Sequence, residues 1–401
     1  MTAPLRQAAL KSAGAALSTA LGACLLTAAA VAAAPAAEAA TTCGGTASIY
    51  GILPDGRLTF STITPATGAL KKVRVGANLG FEPKAMATLD FNTVLVTSTT
   101  GALYRLDVLT NDDSLVLERS PVKIFDSGWT HDKLTYDGHG HLYGTAGGVL
   151  LQYLVSQPKP TGSAHIGQRK EIGSGFVLKT LTAAGDDRLL ATTSAGALYS
   201  YKINADGTWD RDDLKPSGWS GFDQVVSPGG GLYYGRIETT GAMYWYKDAN
   251  PADGSGTDIA YHNDNPVNTG GWTQRLLSAQ PGTFSCTTTA DPLDGHDIPA
   301  VKAAGRDLMN RYDGGAWNSP TQWNCLEQLW DRESGWRYWA DNPNSTAYGI
   351  PQALPGSKMD AFGDDWRTNP VTQIKWGLSY IDGQYGTPCG AWTHFLNNNW
   401  Y

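Results

Sequence analysis

The chain has 401 residues, 41% of them apolar, with 14 Trp, 18 Tyr and 47 Gly. That length and composition suit two globular domains and exclude a disordered chain. A net charge of −7 argues against the basic face that nucleic-acid binding needs, and it gives no drive toward an anionic lipid surface.

The first 40 residues differ in kind from the rest. Arg6 and Lys11 precede an Ala- and Leu-rich run from about Ala13 to Ala34, and Pro35-Ala36-Ala37-Glu38-Ala39 offers small residues for cleavage after Ala39. Residues 1–39 read as a secretory signal peptide, with an N-terminal membrane anchor as the alternative. Leu21-Gly22-Ala23-Cys24 faintly resembles a lipoprotein box, but the apolar run continues well past Cys24. No later stretch is apolar enough to span a bilayer, so no membrane association is expected once the signal is cleaved.

Export makes the remaining cysteines informative. Cys43, Cys286, Cys325 and Cys389 form an even set, which suggests two disulfides with three possible connectivities. Cys43 with Cys286 and Cys325 with Cys389 is the expected pairing, because each pair brackets one domain. No C-x-x-C pair is present, so no metal site and no cofactor are expected.

Residues 43–286 repeat. A short strand, a turn and a Tyr-bearing strand recur from positions 49, 94, 142, 189 and 232, as in Leu189-Leu190-Ala191 before Gly196-Ala197-Leu198-Tyr199. A second marker runs in phase: Gly80-Phe81, Gly128-Trp129, Gly175-Phe176, Gly218-Trp219 and Gly271-Trp272. A period in the mid-forties with Gly-punctuated, alternating segments predicts propeller blades, and five copies predict five blades. A Cys43–Cys286 bridge would lock the ring, worth on the order of 5 kcal/mol in the loop-entropy account. The His139/His141 pair lies in a turn-and-strand slot of the repeat, which favours a turn over a metal site.

On these residues the segment resembles the tachylectin-2 family of five-bladed lectins. The resemblance implies binding of N-acetylated amino sugars between blades. An aromatic ring stacks on the apolar face of a sugar, so Trp129, Trp219 and Trp272 are the candidate sugar-binding residues, with a place in the blade core as the competing role.

Residues 287–297 read as a polar linker. From 298 the pattern turns helical, opening at Pro299. Gln322 to Arg332 predicts a helix with Trp323, Leu326, Leu329 and Trp330 on one side, and Glu333 falls on that apolar face near the helix end. Such a carboxylate is a paired charge or a functional acid. Ser334-Gly335-Trp336 ends the helix. A third helix is expected over about 371–385.

Leu329-Trp330, Glu333-Ser334-Gly335-Trp336, Ala347-Tyr348-Gly349-Ile350-Pro351-Gln352, Gly356-Ser357-Lys358-Met359 and Trp376-Gly377-Leu378 occur in this order. On these blocks, residues 298–401 resemble the lysozyme-like lytic transglycosylase domain common in exported actinobacterial proteins. The resemblance implies a mainly α fold that follows the all-β propeller in a multidomain chain. It implies action on peptidoglycan glycan strands, with Glu333 as general acid and Ser334, Tyr348, Gln352 and Trp392 as substrate-binding residues. Ala391-Trp392 stands where the family often has Ala-Tyr-Asn.

A carboxyl group donates a proton near pH 7 only when its pKa is raised, and Trp330 and Trp336 flank Glu333 in sequence. Asp341, Asp364 and Asp365 are available as second carboxylates but read equally well as loop and cap residues. The expected function is a secreted, cell-wall-associated lytic transglycosylase. A lysozyme-type hydrolase and a non-catalytic wall-glycan lectin are the alternatives.

Overall fold

A computed structural model describes residues 41–401 apart from 90–92, 111–113, 158, 186, 282, 289–292, 294 and 364. The signal peptide and Cys24 lie outside the described residues.

Residues 46–279 build five sheets arranged as propeller blades. The first blade is composite. Leu276–Ala279, from the end of the repeat, pairs antiparallel with Ala47–Ile52, and Arg57–Ile63 and Leu70–Asn78 follow outward. Ile49 sits opposite Ala279, so the chain's own end closes the ring. The third, fourth and fifth blades each run outward in chain order from Lys133–Tyr136, Thr180–Gly185 and Gln224–Gly229. The second blade starts at Pro83–Thr88, and its outer edge is shared by Leu115–Leu117 and Val122–Phe125, both paired with Leu103–Thr110. Outside the blades, Thr41–Gly45 pairs with Phe284–Thr288 and sets Cys43 opposite Cys286 in register.

The second marker has one geometry throughout. Gly80, Gly128, Gly175, Gly218 and Gly271 all have φ between +77° and +101°, a region that costs residues with a Cβ. The amides of Trp129, Phe176, Trp219 and Trp272 then donate to Gly101, Gly148, Gly196 and Gly241 within their own blades. These bonds hold the aromatic ring inward. One apolar cluster lies at each interface between neighbouring blades.

Four helices follow: α1 (Ile298–Arg311), α2 (Pro320–Glu333), α3 (Pro370–Tyr385) and α4 (Pro388–Asn398). Each begins with a side-chain cap and an early proline. Asp297, Ser319, Asn369 and Thr387 accept from Ala300, Gln322, Val371 and Gly390, which satisfies amides that the first turn leaves open. A disulfide joins Cys325 on α2 to Cys389 on α4. Val301, Leu326, Leu329, Trp330, Trp336, Ile374 and Ile381 form the helical core. The helices are not a free appendage. Met359, Phe362, Trp366 and Trp376 share one buried cluster with Tyr50, Phe60, Val94 and Leu106 of the first two blades.

Candidate active site

The site is built at the C-terminal end of α2. Leu326, Leu329 and Trp330 bury one face of that helix, and Glu333 is its last residue, on the margin of the buried face. No ion pair or hydrogen bond engages its carboxylate among the described residues; neither Arg332 nor Arg337 pairs with it. Burial alone pushes the Glu333 carboxyl up to about 7. Partial negative charge at a helix C-terminus acts in the same direction.

Trp330 and Trp336 are fully buried beneath this end of the helix. Three tyrosines complete the surroundings. Burial raises the pKa values of Tyr380, Tyr385 and Tyr401, and the negative charge of Glu333 adds to the rise in each, which places all three near it. Tyr401, the terminal residue, accepts from Trp330 Nε1 at 2.8 Å and donates to the Pro351 carbonyl at 2.9 Å. It therefore ties α2 to the Gly349–Gln352 loop.

Glu333 opens onto a groove of about 590 Å³ lined also by Arg337, Trp339, Ala340, Asp341, Asn342, Pro343, Asn344 and Gln352. Trp339 is 38% exposed, an indole available for stacking on a sugar ring. Sequence reasoning passed over it. The available signal was the aromatic density of Trp336-Arg337-Tyr338-Trp339 directly after the acid.

The other expected residues divide. Gln352 lines the groove, held at φ +47° with its amide donating to Ala340 and Gly349 carbonyls at 3.2 and 2.9 Å. Ser334 is buried, and its hydroxyl donates to the Ile350 carbonyl at 2.8 Å. It therefore positions the loop and does not face a substrate. Tyr348 is not among the residues that line the groove, and its hydroxyl donates to the Arg367 carbonyl at 3.0 Å. Trp392, half-buried, stacks on Phe395 against the helical core. The organiser that sequence reading missed is Gln373, fully buried on α3. It accepts from Ile350 N at 2.8 Å and donates to the Tyr338 and Trp366 carbonyls.

Of the candidate second carboxylates, Asp341 lines the groove. Asp365 is occupied beside the start of α3, accepting from Asn369 Nδ2 and Thr372 Oγ1, both at 2.8 Å. Asp331, two residues before Glu333 on α2 and not among those candidates, is held by Lys302. Asp364 lies outside the described residues.

The propeller indoles require a correction. Trp129, Trp219 and Trp272 are 4%, 2% and 3% exposed. Each is packed in an inter-blade cluster, so none offers a ring face to a sugar. The His139/His141 stretch is a turn whose amides both donate to Asp137 Oδ1. No helix among the described residues is long and apolar enough to cross a membrane.

No curated protein matches the chain. Among solved structures, a symmetrical protein studied for its de novo evolutionary emergence is similar at 20% identity and a TM-score of 0.42, over 59% of this chain and 99% of that one. The apo form of AztD from Citrobacter koseri is similar at 15% identity and a TM-score of 0.28, over 57% of this chain and 62% of that one. Virginiamycin B lyase from Staphylococcus aureus is similar at 14% identity and a TM-score of 0.28, over 53% of this chain and 68% of that one. Residues 98–277, which span most of the five-bladed propeller, match the Tachylectin family model.

Proposed function

We propose that the chain is a secreted, cell-wall-associated lytic transglycosylase that cleaves the β-1,4 bond between MurNAc and GlcNAc in peptidoglycan, with the propeller holding the enzyme on N-acetylated wall sugars. The observation that carries this reading is Glu333: an unpaired carboxyl, raised to about 7 and opening onto a glycan-sized groove. At neutral pH a large share of that group holds a proton it can deliver.

In this mechanism Glu333 protonates the glycosidic oxygen, and the C1–O bond breaks. The MurNAc N-acetyl oxygen closes on C1 and takes up the developing positive charge. The Glu333 carboxylate then removes the C6 hydroxyl proton as O6 displaces the N-acetyl oxygen. That leaves a 1,6-anhydro end and restores the acid. No second carboxylate is needed. Trp339 stacks on a sugar ring, and Gln352 holds the groove wall. The Tachylectin match over residues 98–277 supports carbohydrate binding by the propeller. With the three indoles buried, that binding falls to blade-rim groups other than Trp129, Trp219 and Trp272.

One observation favours a second reading. Asp341 shares the groove with Glu333, and a hydrolase of lysozyme type uses two carboxylates. A non-catalytic lectin is the third reading. Turbidity loss of a cell-wall suspension separates it from both enzymes: the wild-type chain should clear the suspension and Glu333→Gln should not. Equal clearing by the two would remove Glu333 from the mechanism, and no clearing by either would leave the lectin.

A further inference from the structure

The axial end of the propeller holds a second cavity. The inner strands begin there, and a pocket of about 80 Å³ forms among Asp132, Lys133, Lys179, Asp223, Gln224 and the apolar wall of the first two blades. Three blades carry a lysine at the start of the inner strand: Lys84, Lys133 and Lys179.

Two of the three do the same structural job. Lys84 donates to the Thr130 carbonyl and Lys179 to the Ser220 carbonyl, both at 2.6 Å. Each acceptor directly follows an inter-blade tryptophan, so these lysines tie one blade to the next. Lys133 breaks the pattern. Its ammonium has no hydrogen-bond acceptor among the described residues, and the charge that acts on it is that of Asp132, the preceding residue. Asp132 is exposed and already shared with Lys84 at 3.2 Å.

The other acid in the cavity wall is also spent. Asp223 is held in a two-pronged pair by Arg236, whose guanidinium also donates to the Trp272 and Gln274 carbonyls. Both wall carboxylates, Asp132 and Asp223, are thus engaged by cations from outside the cavity wall, Lys84 and Arg236, and neither Lys133 nor Lys179 forms an ion pair among the described residues. Lys133 is half-buried, and burial lowers its pKa, so a charged state there lacks full hydration. Lys179 adds N–H donors beyond the one given to Ser220, and Gln224 adds an amide.

We infer that this axial cavity is an oxyanion site, sized for a carboxylate or phosphate group, with Lys133 as its principal charge partner and Lys179 and Gln224 as flanking donors. Charge-assisted bonds from an ammonium to an oxyanion are the strong ones. The oxyanion is either a free ion or the carboxylate of an acidic sugar. This site is independent of Glu333 and of any glycan cleavage.

The test is thermal unfolding of the full chain, titrated with inorganic phosphate, acetate or glucuronate at fixed ionic strength, with sodium chloride as the reference. A saturable rise in Tm of several degrees in at least one series is expected from mass action. Glucuronate acting as well as acetate assigns the acidic sugar; acetate or phosphate acting alone assigns the free ion. Lys133→Gln should weaken the response at least about tenfold, and Lys133→Arg should retain it. In chloride alone Lys133→Gln should unfold no earlier than the wild type, because it removes an unpaired charge. No saturable rise in any series, or the same rise in Lys133→Gln, would overturn the site. An early-melting Lys133→Gln in chloride would also overturn it, because Lys133 would then be a structural tie like its two counterparts.

Discussion

Glu333 holds its proton more tightly in the folded chain than in the unfolded one, with its pKa raised from 4.5 to about 7. The sign of the consequence follows from linkage. Below pH 4.5 the group is neutral in both states and has no effect. Between there and pH 7 the unfolded chain loses its proton first, so this group costs stability as pH rises, and the cost levels off above pH 7. Glu333→Gln cannot ionise. It should therefore match the wild type near pH 4 and exceed it at pH 8 by about 1 to 2 kcal/mol, after allowing for solvent in the groove. Urea unfolding of both chains at the two pH values checks this, and a Gln variant less stable at pH 8 would contradict it. In the proposed mechanism the same proton should set an alkaline limb with an apparent pKa near 7, checked as kcat/KM against pH. Trp339→Ala should raise KM for glycan strands several-fold with little change in kcat, since stacking holds ground and transition states alike.

At the scale of elements, much of this was written in the sequence. Apolar spacing marked α2 and put Glu333 on its buried margin, and the structure makes Glu333 the last helical residue. The repeat marked five blades because one turn geometry recurs at its glycines. What stayed hidden depends on side-chain direction. An aromatic after a positive-φ glycine reads the same whether its ring points out to a ligand or in to the core, and the amide bonds to the neighbouring turns send these rings inward. Ser334 lies beside the acid in sequence, yet its hydroxyl is taken by a carbonyl sixteen residues away, which no local pattern reveals. α4 is hard to read from sequence because Gly390 and two asparagines, Asn397 and Asn398, weaken its helical signal. Its start rests on the Thr387 cap and on Gln322, which accepts from Cys389 N at 3.0 Å. The α2–α4 disulfide closes a sequence separation of 64 residues. Cys325→Ser with Cys389→Ser should therefore cost about 2 to 4 kcal/mol, read as a lowered denaturant midpoint.

Over the whole molecule, the helical region and the first two blades are joined by a common interior. Trp376 is 2% exposed within that cluster and stacks on Tyr380, whose partner Tyr401 ties α2 to the Gly349–Gln352 loop. Ser48 of the first blade donates to the Ala361 carbonyl at 2.7 Å, and buried Asp360 pairs with Lys72. One unfolding transition is expected for residues 41–401. Trp376→Ala should lower it as a unit by about 3 to 5 kcal/mol; calorimetry resolving two transitions, with only one moved, would show that the two parts fold separately. This shared interior also bears on function, because it fixes the Glu333 groove relative to the blades that are proposed to hold the wall.

In the proposed reaction one sheltered carboxyl cleaves a wall glycan without a second carboxylate. Mass spectrometry of the muropeptides released from purified peptidoglycan tests it most directly. Anhydro ends, one water lighter than hydrolysed ends, are expected from the wild-type chain and none from Glu333→Gln. Hydrolysed ends from the wild type, lost when Asp341 is replaced by Asn, would contradict the claim and assign the groove to a two-carboxylate hydrolase.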